Sequence, residues 1–253
     1  MVTVDKDLND DELLRYSRQI MLPQIGIEGQ QKILATKVLL FGAGGLGSPI
    51  AMYLAASGIG ELTIVDPDKV DLSNLQRQIL HQTADLDKHK VISAKQTLAD
   101  LNDQTIVRTL QEELTGDMLY TEVSRANVVV DATDNFQARY AINAACVKAR
   151  TALVTGAAIR FEGQVTVFDM LEESACYQCL YSDTDSELEE NCSETGVLGS
   201  VTGLIGSIQA TEVIKLIVNT GQTLSNRLLL IDALNMDWHS VKLKKDPQCA
   251  ICS

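Results

Sequence analysis

The stretch 37–77 constrains the fold more than any other part of the chain. Lys37-Val38-Leu39-Leu40-Phe41 is a short apolar run suited to a strand buried on both faces of a parallel sheet. Gly42-Ala43-Gly44-Gly45-Leu46-Gly47 follows without a break, and residues 46–57 read as a helix. Glycines permit a tight turn and close backbone approach, and the start of the following helix presents unpaired N–H groups and the positive end of its dipole to an anion. A second strand, 62–65, delivers Asp66 about twenty residues after the turn, where such folds place a carboxylate on ribose hydroxyls. Packing alone also produces glycine turns. The strand before, the helix after and the acid beyond make this one a nucleotide site, with Gly42, Gly44, Gly45, Gly47 and Asp66 as candidate contacts.

The residues after Asp66 say which nucleotide. In Asp66-Pro67-Asp68-Lys69-Val70-Asp71-Leu72-Ser73-Asn74-Leu75-Gln76-Arg77-Gln78, Arg77 offers a planar fork for phosphate oxygens, and Ser73 and Asn74 are candidate phosphate or ribose contacts. Lys90 opens an amphipathic helix (Val91, Ala94, Leu98, Leu101), from which an ammonium can reach a polyphosphate; Lys88 is its rival. A dehydrogenase has no need of these groups here. Together they favour ATP over a dinucleotide.

Beyond this region, strands at 106–110, 127–131 and 152–155 alternate with helices at 117–124 and 136–149, as in a mainly parallel sheet. The pattern then changes to period two at 163–168, 227–231 and parts of 238–243, which suggests antiparallel strands extending the sheet. An apolar helix at 201–218 lies between them, with Gly203 and Gly206 permitting close packing. The expected fold is α/β: a Rossmann-like nucleotide-binding half extended into a mixed central sheet. It forms a single domain over 1–253, divided into an N-terminal helical segment (1–35), a nucleotide half (36–156) and a second half (157–253).

Cysteine usage adds a staple. Cys176-x-x-Cys179 and Cys249-x-x-Cys252 each supply two thiolates from one turn, and two such pairs complete a closed tetrahedral zinc site with sulfur at about 2.3 Å. A redox pair and buried free thiols are the rival readings. Zinc would tie the C-terminal tail to the middle of the chain. Cys146, inside an apolar helix, reads as core.

Charge narrows the partners. A net charge of −13 argues against nonspecific nucleic-acid binding and against an anionic membrane surface. No apolar run is expected to approach the roughly 18 residues of a membrane span, and the acidic N-terminus is unlike a signal peptide, which points to the cytoplasm.

These motifs, with Arg15-Tyr16-Ser17-Arg18-Gln19, Asp131-Ala132-Thr133-Asp134-Asn135 and Gly156-Ala157-Ala158-Ile159-Arg160-Phe161-Glu162-Gly163-Gln164, make the chain resemble the ubiquitin-activating-enzyme-like adenylyltransferases of the ThiF, MoeB and HesA family nearly end to end. One departure is Asp87-Lys88-His89-Lys90, where the family commonly has proline before the lysine. The resemblance implies ATP-dependent adenylylation of the C-terminal Gly-Gly carboxylate of a small ubiquitin-fold sulfur-carrier protein, of the MoaD or ThiS kind, for molybdopterin or thiamine synthesis. By the same resemblance Asp134 holds Mg²⁺, Asn135 joins the nucleotide contacts, and Arg77 and Lys90 stabilise the triphosphate. Arg18 reaches across a homodimer interface to the partner's ATP, although a surface salt bridge is its simpler reading. Residues 157–253 carry the carrier-binding surface and the zinc clip, and a cysteine desulfurase or rhodanese supplies the sulfur.

Residues 182–194 are acidic and poor in apolar side chains, as in a mobile loop, and contain Cys192. In the family this loop crosses the carrier's tail and in some members bears a catalytic thiol. Neighbouring acids would raise the thiol pKa, so a catalytic and a dispensable role stay open. His81, His89 and His239 show no metal or triad spacing and read as structural or solvated, while Tyr16 and Ile20-Met21-Leu22 read as packing residues. Two other activities share part of the pattern: an ATP-dependent tRNA-modifying dehydratase of the same superfamily and a nicotinamide-dependent dehydrogenase. The paired cysteines and the acidic charge speak against the first, and Arg77 and Lys90 against the second.

Overall fold

The computed structural model describes residues 7–181 and 195–253. Three short helices lead in: α1 (Asp10–Arg15), α2 (Ser17–Ile20) and α3 (Gly26–Ala35). A reciprocal cap starts α1, with Asn9 Oδ1 accepting from Glu12 N and Glu12 Oε2 accepting from Asn9 N, both at 2.9 Å. The order then runs β1 (Lys37–Phe41), α4 (Gly47–Ser57), β2 (Glu61–Val65), α5 (Lys90–Leu101), β3 (Ile106–Leu110), α6 (Gly116–Arg125), β4 (Val128–Asp131), α7 (Phe136–Ala149) and β5 (Ala152–Ile159). It ends with β6 (Glu162–Phe168), α8 (Tyr177–Leu180), α9 (Gly199–Val218), β7 (Arg227–Asp232) and β8 (Asp237–Lys242).

The eight strands form one sheet in the order β3-β2-β1-β4-β5-β6-β7-β8. The first five are mutually parallel; β5–β6, β6–β7 and β7–β8 pair antiparallel, as the period-two segments implied. Alternation along the strands feeds two cores. Val38, Leu40, Leu62, Ile64, Val130 and Val154 pack with Ile50, Leu54, Leu98, Ile205 and Val213 on one face. Leu39, Phe41, Val129, Leu153 and Phe168 pack with Val123, Ile142, Cys146 and Tyr177 on the other. Full burial of each such aliphatic side chain contributes roughly 1.5–3 kcal/mol, which explains why both faces of the parallel strands are apolar.

Three expectations need correction. The strand read at 152–155 continues to Ile159, because β6 pairs with it down to Ile159↔Glu162 and supplies the ladder that Gly156-Ala157-Ala158 does not advertise. α9 is 20 residues long with a mean hydropathy of 1.5, so one helix does reach spanning length; it packs on α4, β5 and β6 as a core helix, half-buried. Close packing of α9 uses Gly199 and Gly206, not Gly203. A Cβ on Gly206 would lie 2.5 Å from Leu46 O and one on Gly199 2.5 Å from Gln76 O, whereas Gly203 faces open space.

The strand order reverses between β1 and β4, and the site lies beyond their carboxyl ends.

Candidate functional site

Gly42 leaves β1 with φ of +92°, and a Cβ there would sit 2.7 Å from Ala132 O at the end of β4. A Cβ on Gly47 would strike Gly42 O. Glycine at both positions therefore lets the turn close between two strand ends. α4 then begins without a side-chain cap, as do α5 and α9. Their starts converge on the turn: Gly45 backs onto Thr202 of α9, and Ala43 is linked through His81 to Ser93 of α5. Three uncapped helix N-termini around one glycine turn favour an anion.

Asp66, at the end of β2, is buried. Its Oδ2 accepts from Ala43 N at 2.8 Å and its Oδ1 from Asp68 N at 2.9 Å, so the carboxylate first shapes the turn and has lone pairs left for a hydroxyl. Burial raises its pKa above the ordinary carboxylate value, and the nearby Lys90 ammonium offsets only part of this. Lys90 begins α5 with its side chain 7 % exposed and its Nζ 2.9 Å from Asp68 Oδ2. Lys88 is instead taken up by Asp85, 2.9 Å away. Of the rival pair, Lys90 is thus the buried member and Lys88 the exposed one. The start of α5 is set without a proline by Lys90 N donating to Asp68 O and by the positive φ of Asp87.

Ser73, Asn74 and Arg77 lie on the segment over this site. Asp71 accepts from Ser73, Asn74 Nδ2 donates to Ser73 Oγ, and Arg77 Nη1 donates to Ser73 O at 3.3 Å. Gly199 packs against Arg77 and brings α9 beside it. Gln78, unremarked from sequence, is buried with its Nε2 3.5 Å from the Cβ position of Gly44 and its Oε1 without a partner among the described residues.

After β4 the chain turns through Asp134 and Asn135. Asp131 holds this turn by accepting from Thr133 N, Thr133 Oγ1 and Thr155 Oγ1 at 2.7–2.9 Å. Buried Arg139 Nη2 donates to Thr133 O at 2.6 Å. Asp134 is exposed, and Asn135 Oδ1 caps α7 by accepting from Ala138 N at 2.8 Å. Arg139 belongs to the scaffold of this turn, a role visible only once the helix folds back over β5.

Arg18 is exposed on α2, and no salt bridge holds it among the described residues. Tyr16 is core, its hydroxyl accepting from Asn102 Nδ2, but Met21 and Leu22 are 70 % and 49 % exposed, against the expectation that they pack. His81 is buried in hydrogen bonds, as a structural histidine should be.

The four paired cysteines come together with every Sγ within 4.8 Å of the others, neighbouring pairs lying 3.5–4.0 Å apart. Tetrahedral zinc with sulfur at about 2.3 Å requires a separation of roughly 3.8 Å. Asn143 Nδ2 and Asp246 N point at Cys176 and Cys179 Sγ, donors suited to thiolates. The cluster can therefore hold zinc. Cys146 is fully buried, and burial pushes its thiol pKa far up. Cys192 lies outside the described residues.

Comparison with known proteins gives the same picture. The chain is 45 % identical to the sulfur carrier protein ThiS adenylyltransferase of Escherichia coli, over 97 % of each chain. It is 42 % identical to the molybdopterin-synthase adenylyltransferase of Salmonella typhimurium, over 97 % of this chain and 98 % of that one. The crystal structure of E. coli MccB with ATP superposes with a TM-score of 0.82 at 25 % identity, covering 99 % of this chain and 76 % of MccB. The model of the ThiF family matches residues 16–251, and with full-length adenylyltransferases at this identity the chain is an adenylyltransferase and belongs to the ThiF family.

Proposed function

We propose that the protein adenylylates the C-terminal Gly-Gly carboxylate of a small ubiquitin-fold sulfur carrier. The observation that carries this reading is the buried Lys90 ammonium at the first turn of α5, facing Asp66 beside the glycine turn. A triphosphate entering here would exchange the exposed Asp68 carboxylate for its own oxygens. Asp66 would fix the ribose through its remaining lone pairs. Gly42, Gly44, Gly45 and Gly47 keep the turn low enough for phosphate to meet backbone N–H groups, and Ser73, Asn74 and Asn135 line the approach.

The carrier carboxylate oxygen attacks the α-phosphorus, the bond to the bridging oxygen of the β-phosphate breaks, and pyrophosphate leaves with the electron pair. Positioning and charge neutralisation by Lys90 and Arg77 supply the acceleration. Asp134 would hold Mg²⁺, which would supply positive charge against that building on the phosphates. The acyl-adenylate is then open to a protein persulfide, for which a cysteine desulfurase or rhodanese would be the source: its outer sulfur displaces AMP to form an acyl disulfide, and a second thiol attacks the inner sulfur, forming a disulfide and releasing the thiocarboxylate.

Arg18 acts in the partner's site of a homodimer. Its lack of a salt bridge among the described residues, and the exposed Leu14, Met21, Leu22 and Ile27 around it, support that arrangement. Residues 1–253 would act as one unit, with 36–156 holding ATP and 157–253 the carrier and zinc. The cytoplasm, with its ATP and reduced thiols, is the fitting compartment. The test is ATP–pyrophosphate exchange with a MoaD- or ThiS-type carrier. Exchange should require the carrier's terminal glycine and vanish when it is deleted, and exchange that persists without any carrier would sink the reading.

A further inference from the structure

Ala43, inside the glycine turn, is held on both sides of its backbone. Its N–H donates to Asp66 Oδ2 at 2.8 Å, and its carbonyl lies 2.9 Å from His81 Nε2. A carbonyl only accepts, so Nε2 carries the proton. The second ring nitrogen, Nδ1, is 2.9 Å from the hydroxyl of Ser93, one turn into α5, and that hydroxyl is 2.8 Å from Asp85 Oδ2. Asp85 is anchored in turn by Gln82 N at 3.1 Å and by the Lys88 ammonium at 2.9 Å. One buried ring therefore completes an unbroken row of polar contacts from the glycine turn to the helix that Lys90 begins.

Burial keeps His81 below the ordinary histidine pKa. The Ala43 carbonyl, Asp66 and Asp85 oppose this, and Lys90 adds to it. With its proton on Nε2 the neutral ring accepts at Nδ1, and the single proton of the Ser93 hydroxyl is shared between Nδ1 and Asp85 Oδ2. The ring joins the two elements without adding a cation beside Lys90.

We propose that His81 is a positioning residue for adenylyl transfer: by bridging Ala43 O and Ser93 Oγ it fixes the span between the glycine turn and the Lys90 ammonium, which must grip one polyphosphate together. The ring touches no substrate atom in this account. The proposal rests on the nucleotide reading of the site, and its test separates the two.

MgATP alone is the probe, titrated calorimetrically into wild type, His81→Asn, His81→Gln, Lys90→Ala and the His81→Asn/Lys90→Ala double variant. Glutamine places a donor where Nε2 stood, and asparagine only where Nδ1 stood. Leaving the Ala43 carbonyl unpaired should weaken binding roughly tenfold or more in His81→Asn, with His81→Gln within about threefold of wild type. If the ring acts by placing Lys90, His81→Asn should cost no more than about threefold once Lys90 is already alanine, a non-additivity that a merely stabilising residue would not produce. Equal fold losses in both backgrounds, or a glutamine variant as weak as asparagine, would overturn the proposal. Should His81→Asn not fold, Ser93→Ala frees Nδ1 while keeping the ring on Ala43; coupling of its loss to Lys90 supports the proposal and additivity overturns it. A wild-type chain that binds no MgATP sinks the nucleotide reading and this proposal together, whereas normal binding with additive losses sinks only the proposal.

Discussion

Around β1, β2 and β4 the groups proposed to meet ATP are held by the backbone of the fold: Asp66 and His81 grip Ala43, Asp131 and Arg139 grip the turn that bears Asp134, and α4, α5 and α9 begin near the glycine turn. Around α8 and the C-terminal turn the scaffold is smaller: Tyr177 is buried and its N–H donates to Asn143 Oδ1. β8 is exposed along its whole length, α8 has four residues, and four sulfur atoms draw Cys249 and Cys252 back onto Cys176 and Cys179. The first region is precise because secondary structure converges there, and the second because a metal can be ligated there. The two should therefore fail in different ways under substitution.

Cys252→Ser should break the second region and spare the first. Metal analysis should find about one zinc per wild-type chain and none in the variant. Its Tm should fall by on the order of 10 °C, since losing a structural metal costs several kcal/mol and each is worth about 2–4 °C at this size. MgATP affinity at low temperature should stay within about threefold of wild type. Absence of zinc from freshly reduced wild-type protein would erase the contrast. Lys90→Ala should do the reverse: zinc content and Tm hold, while carrier-dependent pyrophosphate exchange falls by about 10²-fold or more, with Asp134→Ala comparable. Exchange that survives both changes would mean that the scaffolded region is not the active site.

A third test uses pH. The proposed ribose contact uses ionised Asp66, and burial raises the pKa of this acid, so the fraction ionised begins to fall at a higher pH than for an ordinary aspartate. MgATP affinity should accordingly drop on acidification through that raised value and recover above it, and Asp66→Asn should flatten the profile at the weak limit. A wild-type profile that matches the asparagine variant would remove Asp66 from the ribose.

Smaller effects probe the helix that joins the regions. Gly206→Ala, with its Cβ against Leu46 O, should cost roughly 1–3 kcal/mol in denaturant unfolding, whereas Gly203→Ala, facing open space, should gain roughly 0.5–1 kcal/mol. The smallest expected change is none at all: Cys192→Ala should leave pyrophosphate exchange intact, because adenylate formation needs only ATP, Mg²⁺, the carrier carboxylate and the charged groups. A folded, zinc-loaded variant that is dead in exchange would refute this.

Local patterns made the first region legible. The apolar run, the glycine turn and the spacing to Asp66 each describe a few consecutive residues, and β1, α5, β3 and α7 fall where periodicity places them. Legibility ended where a partner distant in sequence decides. Lys88 and Lys90 look alike until Asp85 claims one and Asp68 meets the other. Gly203 and Gly206 look alike until α4 approaches only one of them. β5 runs past Thr155 only because β6 lies beside it, and His81 shows no motif because its partners are a backbone carbonyl and a serine hydroxyl. Met21 and Leu22 read as packing residues, but hydropathy alone carries no information about which apolar residues stay outside the chain's own core.

The cysteine cluster also sets a timetable. Its sulfurs join positions 73 residues apart, and α9, β7 and β8 are all encoded between them. During synthesis β1 to β5 emerge first, but their cores are completed by Phe168, Tyr177 and α9, all of which still precede Cys249 and Cys252. Only the clipping of the C-terminal turn must wait for those two thiols and for zinc. Because the entropic cost of closing a loop grows only slowly with its length, the metal can bridge so wide a gap at little extra cost over a short one. A cell short of zinc would therefore accumulate chains whose C-terminal turn is unclipped. Such chains could be seen by pulse-labelling and limited proteolysis as a fragment that has lost the turn bearing Cys249 and Cys252.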